Sequence, residues 1–278
     1  MKKLALLFIA ILITGFSYGQ KREKIKGSKN VTIEKKDIGN FENLEIEDNL
    51  DILLIKSDKC SLEIEADDNL HSEININSNG NTLRLTTSKD VGGFKKFLVK
   101  VFYNNDFKLL LAKHESIITA TTDIELDNFT IKSFDYSKIF VNAKVKTFTI
   151  MQNDKSKSEL NLKNESTTIE LSKNAQLKAL IASNQLKVDL YQKATAVVEG
   201  DVNELKLRVD NSSEFTGMNL ISKTAELIAE ANTTTKLNVV TSASIEASGK
   251  SEIQFYGDAK IELKKFTENT VIMKKTLK

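Results

Sequence analysis

Three acids, Asp123, Glu125 and Asp127, stand at alternate positions of one short stretch, and Glu63 and Glu65 do the same. On a β-strand, side chains two apart share a face. Acids set out this way could hold Ca²⁺ together with backbone oxygens, or form the carboxylate pair of a glycosidase. Ile124 and Leu126, however, fill the positions between them. That alternation is what a half-buried strand produces when its acids simply face water. The solvated reading is the stronger one, because EF-hand and glycine-aspartate nonapeptide patterns are both missing. A polysaccharide lyase or hydrolase would need acids and bases such as Asp123, Asp127, Lys132 and Lys138 to converge in one groove.

Histidine chemistry is equally thin. The two histidines, His71 and His114, have no second histidine or cysteine at metal-ligand spacing. No Gly-x-Ser-x-Gly elbow, phosphate loop or dinucleotide fingerprint occurs. The expectation is therefore no catalytic residue, no cofactor and no metal. One cluster mixes aromatic and basic residues: Phe94, Lys95, Lys96, Phe97 and Tyr103. It reads either as a patch that stacks sugars or meets a protein partner, or, preferably, as a cap over an apolar end.

The elements that would position these residues follow from a repeat of pattern. From about residue 135, short β-like runs recur roughly every 17 to 21 residues. One apolar series is Leu171, Leu190, Val209, Ala229, Ala247 and Leu263, each with an apolar residue two positions earlier, from Ile169 to Ile261. A second series upstream includes Leu160 with Leu162, Ala179 with Ile181, and Ile253 with Phe255. Each unit thus offers two short strands with one apolar face. Small polar residues fall between units, as at Asp135 with Ser137, Asn174, Asn211 to Ser213, and Gly249 with Ser251; these suit sharp corners. About 19 residues cannot bury such a face alone, and stacking solves this. The expected fold is all-β: a right-handed parallel β-helix, or β-solenoid, over residues 113–278, with a less regular N-terminal β region over 31–112 that packs on or caps it. A large antiparallel sandwich or barrel is the competing arrangement.

Composition adds bounds. The chain has 278 residues, 40% hydrophobic and 28% charged, with no proline or tryptophan. Lys2 and Lys3 precede an apolar run from Leu4 to Phe16, then Ser17, Tyr18 and Gly19. This reads as a secretory signal peptide over residues 1–19, followed by a polar, flexible lead over 20–30. The alternative, a retained anchor, needs a longer run than this. Removing the two lysines of the signal leaves 38 basic against 38 acidic residues. A neutral mature chain has no general attraction to nucleic acid. Cys60, the only cysteine, alternates with Leu62, Ile64 and Ala66 and should be buried. The end, Lys274-Lys275-Thr276-Leu277-Lys278, reads as a capped terminus.

The stretch Phe41 to Ser88 resembles the opening of the family described as putative auto-transporter adhesin, head GIN domain. The likeness lies in FENLEIEDNLDILLIKSDKCSLEIEADDNL followed by NSNGNTLRL, and later in GKSEIQFYGDAKIELKK. Corners often built from Ser-Gly pairs in that family hold Asn232-Thr233-Thr234 and Asn211-Ser212-Ser213 here, and Ala259 replaces a proline. The resemblance implies an exported β-helical protein with an adhesin-like role. The leading expectation is a non-enzymatic binding or scaffold protein of the cell envelope that meets an extracellular glycan or protein. It would be periplasmic, outer-membrane-associated or extracellular. The rivals are a polysaccharide-active β-helix enzyme and a structural envelope protein that assembles as a homo-oligomer.

Overall fold

The structure, a computed structural model, describes residues 22–277; the expected signal segment lies outside them. The strands run β1 Lys24–Lys26, β2 Val31–Asp37, β3 Asn43–Ile46, β4 Asp51–Lys56, β5 Ser61–Asp67, β6 Ile74–Asn79, β7 Thr82–Thr87, β8 Asp90–Gly92, β9 Phe97–Tyr103, β10 Leu109–Ala112, β11 Ile117–Ala120 and β12 Ile124–Ser133. The longer ones follow: β13 Lys138–Gln152, β14 Lys157–Leu171, β15 Gln176–Leu190, β16 Thr195–Val209, β17 Glu214–Ala229 and β18 Thr234–Ala247. The chain ends with β19 Glu252–Tyr256, β20 Lys260–Phe266 and β21 Val271–Lys274. One short 3₁₀ turn, Asp68–Glu73, interrupts them.

These strands coil into a β-solenoid of about nine turns. Every pairing among β10 to β21 is parallel, which excludes the antiparallel sandwich. Lys138 pairs with Lys157, Lys157 with Gln176, Gln176 with Thr195 and Thr195 with Glu214, a step of 19 each time. Leu171, Leu190, Val209, Ala229 and Ala247 stack in that order, as their spacing predicts. A single core column runs Leu44, Leu110, Ile131, Ile150, Ile169, Val188, Leu207, Leu227, Ile245, and all of these side chains are buried. Each fully buried side chain of this size contributes about 1.5–3 kcal/mol relative to exposure.

Two details differ from the sequence reading. From β13 to β18 the two short strands of each unit are one strand of 14 to 16 residues, bent near its middle. In β15 the buried positions are Leu177, Ala179 and Ile181 before the bend, and Leu186, Val188 and Leu190 after it. The parity changes because Asn184 and Gln185 both face outward at the bend. The backbone stays extended there, so the ladders continue past it. The second difference is where the solenoid starts. The column above passes straight through residue 112, and β3 and β4 already pair in parallel with β10 and β11. Much of the 31–112 region is thus built from coils of the same kind.

The second corner of each coil is a tight turn with left-handed backbone. Asp135, Asp154, Lys173, Gln192, Asn211, Ala231, Gly249 and Glu268 all have positive φ. Two residues later a small side chain is buried beneath the corner: Ser137, Ser156, Ala175, Ala194, Ser213, Thr233, Ser251 and Thr270. Several hydroxyls close the turn by donating to the carbonyl three residues back, as Ser137 does to Phe134 and Ser156 to Asn153, both at 2.8 Å. Such local bonds are what serine and threonine supply at turns.

The N-terminal end is closed. β7 and β9 lie parallel to β3 and β4. Beyond them the pairing turns antiparallel, with β5 on β9, β2 on β5, and β6 on β7 through a hairpin at Gly80. Cys60 is buried, as its alternation implies. Lys24–Lys26, inside the stretch expected to be a flexible lead, pair in parallel with Asp90–Gly92, because backbone donors and acceptors at that edge complete a ladder. The C-terminal end departs from expectation. Leu263 does not follow Ala247 in its column; Phe266 does, and Leu263 follows Ile245 across a bulge. Ile261, Leu263 and Phe266 are exposed, so the last coil is open at its outer side among the described residues.

Candidate functional site

The acids singled out by spacing are already paired. Lys144 lies 2.7 Å from Asp123, Lys146 lies 2.8 Å from Asp127, and Lys56 lies 3.8 Å from Glu125. Each partner sits on a neighbouring coil or strand, so these are rungs between stacked turns. Lys132 is at the far end of β12, in register with Leu111 and Met151, and Lys138 lies across the next corner. The four residues that an enzyme would have gathered do not converge. Glu63 accepts from Lys100 at 2.6 Å and has Lys35 at 3.4 Å. The Lys100 hydrogen bond holds its carboxyl below the usual range. His71 meets Thr32 and Glu34, and among the described residues no cluster of three potential metal ligands forms.

The aromatic and basic stretch is turned largely inward. Phe97 and Tyr103 are fully buried, and Phe94 packs on the core with its ring 5.5 Å from that of Phe97. Burial pushes the Tyr103 hydroxyl up to about 12. The backbone of Lys95 and Lys96 has another task. Their N–H groups donate to the carboxylate of Asp67 at 3.1 and 3.0 Å, and Lys29 donates at 2.9 Å. Asp67 is fully buried. Burial alone would raise its carboxyl, but the three backbone donors outweigh it and keep the group below the ordinary range. One carboxylate thereby ties the N-terminal segment and the approach to β9 to β5.

The surface with most to offer a ligand runs along the tight corners. Asp135, Tyr136, Asp154, Lys155, Lys173, Asn174, Gln192, Lys193 and Asn211 line a shallow groove of about 800 Å³. A second hollow of about 450 Å³ continues it past Asp135 and Tyr136 to Arg22, Asp48, Asn49, Thr87 and His114. Stacking explains the groove. Successive corners bring like positions into a row, so five neighbouring coils present their turn residues. The row is held by backbone bonds from Tyr136 to His114, Lys155 to Asp135, Asn174 to Gln192 and Lys193 to Asn211.

Tyr136 is the central feature. It belongs to both hollows, and at 54% exposure it is the most exposed aromatic side chain among the described large hydrophobics. Lys155 lies 5.2 Å from its ring centre and donates to its hydroxyl at 3.2 Å. Beside it, the Asp48 carboxylate accepts from Thr87 at 2.9 Å and from Arg22, while His114 donates through its backbone to Asp135 at 3.1 Å. An apolar ring face ringed by fixed acids, amides and cations suits a polar ligand with apolar patches, such as a sugar chain. Sequence reasoning marked Asp135 and Ser137 as a corner and passed over the tyrosine between them. The available signal was its place: a large aromatic at a turn position where every other coil carries a polar or small residue.

A family model covers residues 40–259. The chain belongs to the family described as putative auto-transporter adhesin, head GIN domain. Among solved structures, a putative adhesin from Parabacteroides merdae is 15% identical, with a TM-score of 0.67, over 92% of this chain and 98% of the other. A putative adhesin from Parabacteroides distasonis is 15% identical, with a TM-score of 0.64, over 91% and 98%. A putative lipid binding protein from the same species is 13% identical, with a TM-score of 0.65, over 92% and 100%. At these identities the likeness is one of fold. No curated protein matches the chain. No helix of the described residues is long and apolar enough to cross a membrane.

Proposed function

We propose that this chain is an exported, non-enzymatic binding module of the cell envelope that recognises an elongated polar ligand, best met by a glycan, along the corner groove. The observation that carries this reading is the exposed Tyr136 ring at the junction of two polar hollows. Sugars present C–H faces to aromatic rings and hydroxyls to carboxylates and amides, and the groove supplies both kinds of partner. Its shallow, multi-coil form fits a chain better than a compact substrate. Family membership supports export and an adhesin-like role, and the sequence of residues 1–19 supports a cleaved signal.

The dispersal of Asp123, Asp127, Lys132 and Lys138 favours a binding role over hydrolysis, since a hydrolase needs its acids and bases to converge in one groove. One structural neighbour is described as a putative lipid binding protein; the charged, open lining of the corner groove favours a polar ligand here. The test is a glycan and extracellular-matrix array probed with purified residues 20–278. Saturable binding without product formation is expected. Turnover of a defined glycan would overturn the non-enzymatic reading, and a blank array would favour a purely structural envelope role.

A further inference from the structure

The two ends of the solenoid are finished differently. At the N-terminal end antiparallel strands cover the first coil, and the outermost, β2, carries exposed Glu34 and Lys35. Charges on an edge strand discourage further pairing. At the other end Ile261, Leu263 and Phe266 stack in register on Ala243, Ile245 and Ala247, which are buried. They continue the core columns, yet they are 37%, 48% and 39% exposed. A terminal repeat ordinarily presents a polar outer face, and this one does not.

We propose that a second copy of this chain covers the open end, tail to tail, with β20 antiparallel to β20 of the other copy about a two-fold axis at Ile261. Charge complementarity selects the occupant and the register. Centred on Ile261, Lys260 of each copy faces Glu262 of the other, and Ala259 faces Leu263. Directly opposed residues of an antiparallel pair share a face, so the ion pairs form outside while Ile261 and Leu263 meet inside. Centring on Glu262 would set glutamate against glutamate. Centring on Leu263 would carry the pairing across Lys264, the residue bulged between Leu263 and Lys265. A head-to-tail stack would set β20 against β2, where Glu34, Lys35 and Asp37 outnumber one exposed apolar side chain, Ile33. The tail-to-tail contact is isologous and closes at two copies.

The test is sedimentation velocity and light scattering on residues 20–278 over a wide concentration range. The wild-type chain forms a dimer and nothing larger. Lys260→Glu and Glu262→Lys each place like charges across the axis and weaken the dimer by about tenfold or more. The double variant, Lys260→Glu with Glu262→Lys, restores it. Both substituted positions carry exposed side chains, and unchanged circular dichroism confirms that the variants fold. A monomer at every concentration, open-ended polymers, or single variants that dimerise like the wild type would each overturn the proposal.

Discussion

Substituting glycine by alanine at three positions separates backbone strain from coil-to-coil collision. Gly200 has φ +113 and sits in ladder register with Ile181 of the coil below. A β-carbon there would collide with the Ile181 carbonyl oxygen and lie 2.9 Å from its carbonyl carbon. The obstacle is backbone, held by ladder bonds on both sides, so it cannot swing away. A non-glycine residue in such a backbone region costs about 1–3 kcal/mol, and forcing extra volume into a packed site costs about 1–3 kcal/mol more. Gly200→Ala should therefore destabilise the chain by roughly 2–6 kcal/mol. Gly80 has φ +56 with open space around the new carbon, so Gly80→Ala should cost only the left-handed penalty of about 1–2 kcal/mol. Gly39 has open space and no positive φ, and alanine there should stabilise by about 0.4–1 kcal/mol. Urea denaturation followed by far-UV circular dichroism reads all three. With a slope of about 3 kcal/mol/M, the Gly200→Ala midpoint falls by roughly 0.7–2 M. A Gly200→Ala midpoint equal to that of Gly80→Ala would refute the collision argument.

Other outcomes follow from the same stack. Phe129 is buried between Phe107 at 5.2 Å and Phe148 at 6.1 Å, so Phe129→Ala should cost about 3–5 kcal/mol in the same urea assay. Asp67 titrates below its ordinary 3.8 in the folded chain. Its stabilising contribution is therefore complete above about pH 4 and lost as pH falls through the lowered folded value. Asp67→Asn should lower the melting temperature at neutral pH and flatten its acid-side decline; an unchanged acid profile would remove Asp67 from that role.

How much of this was legible in the sequence depends on which force fixed each feature. The core columns were legible, because burial imposes apolar residues at Ile169, Val188, Leu207 and Leu227, spaced by 19 or 20. The merging of two short strands into one was not, because a bend that keeps the backbone extended leaves no turn residue: Asn184 and Gln185 look like any polar pair. Corners at Asp135, Asn174 and Asn211 were readable from residue type, yet Lys173, Gln192, Ala231 and Glu268 adopt the same left-handed backbone. There the neighbouring coils impose the geometry over local preference. The open end was misread for a related reason. Leu263 falls short of the repeat after Ala247, and the bulge at Lys264 brings Phe266 into that place. The groove was the least visible feature, since it exists only once five corners are stacked and no single repeat contains it.

The groove's role is tested most directly by comparing the wild-type chain, Tyr136→Ala and Lys95→Ala on one glycan array and then by titration with the best ligand. Tyr136 is exposed in the corner groove, whereas Lys95 belongs to the stretch that ties down the N-terminal end. Loss of one aromatic platform should weaken binding by about tenfold or more, while Lys95→Ala leaves it within about twofold, since a lone exposed charge is worth little. Binding that survives Tyr136→Ala unchanged, or that falls only with Lys95→Ala, would contradict the corner groove as the recognition surface.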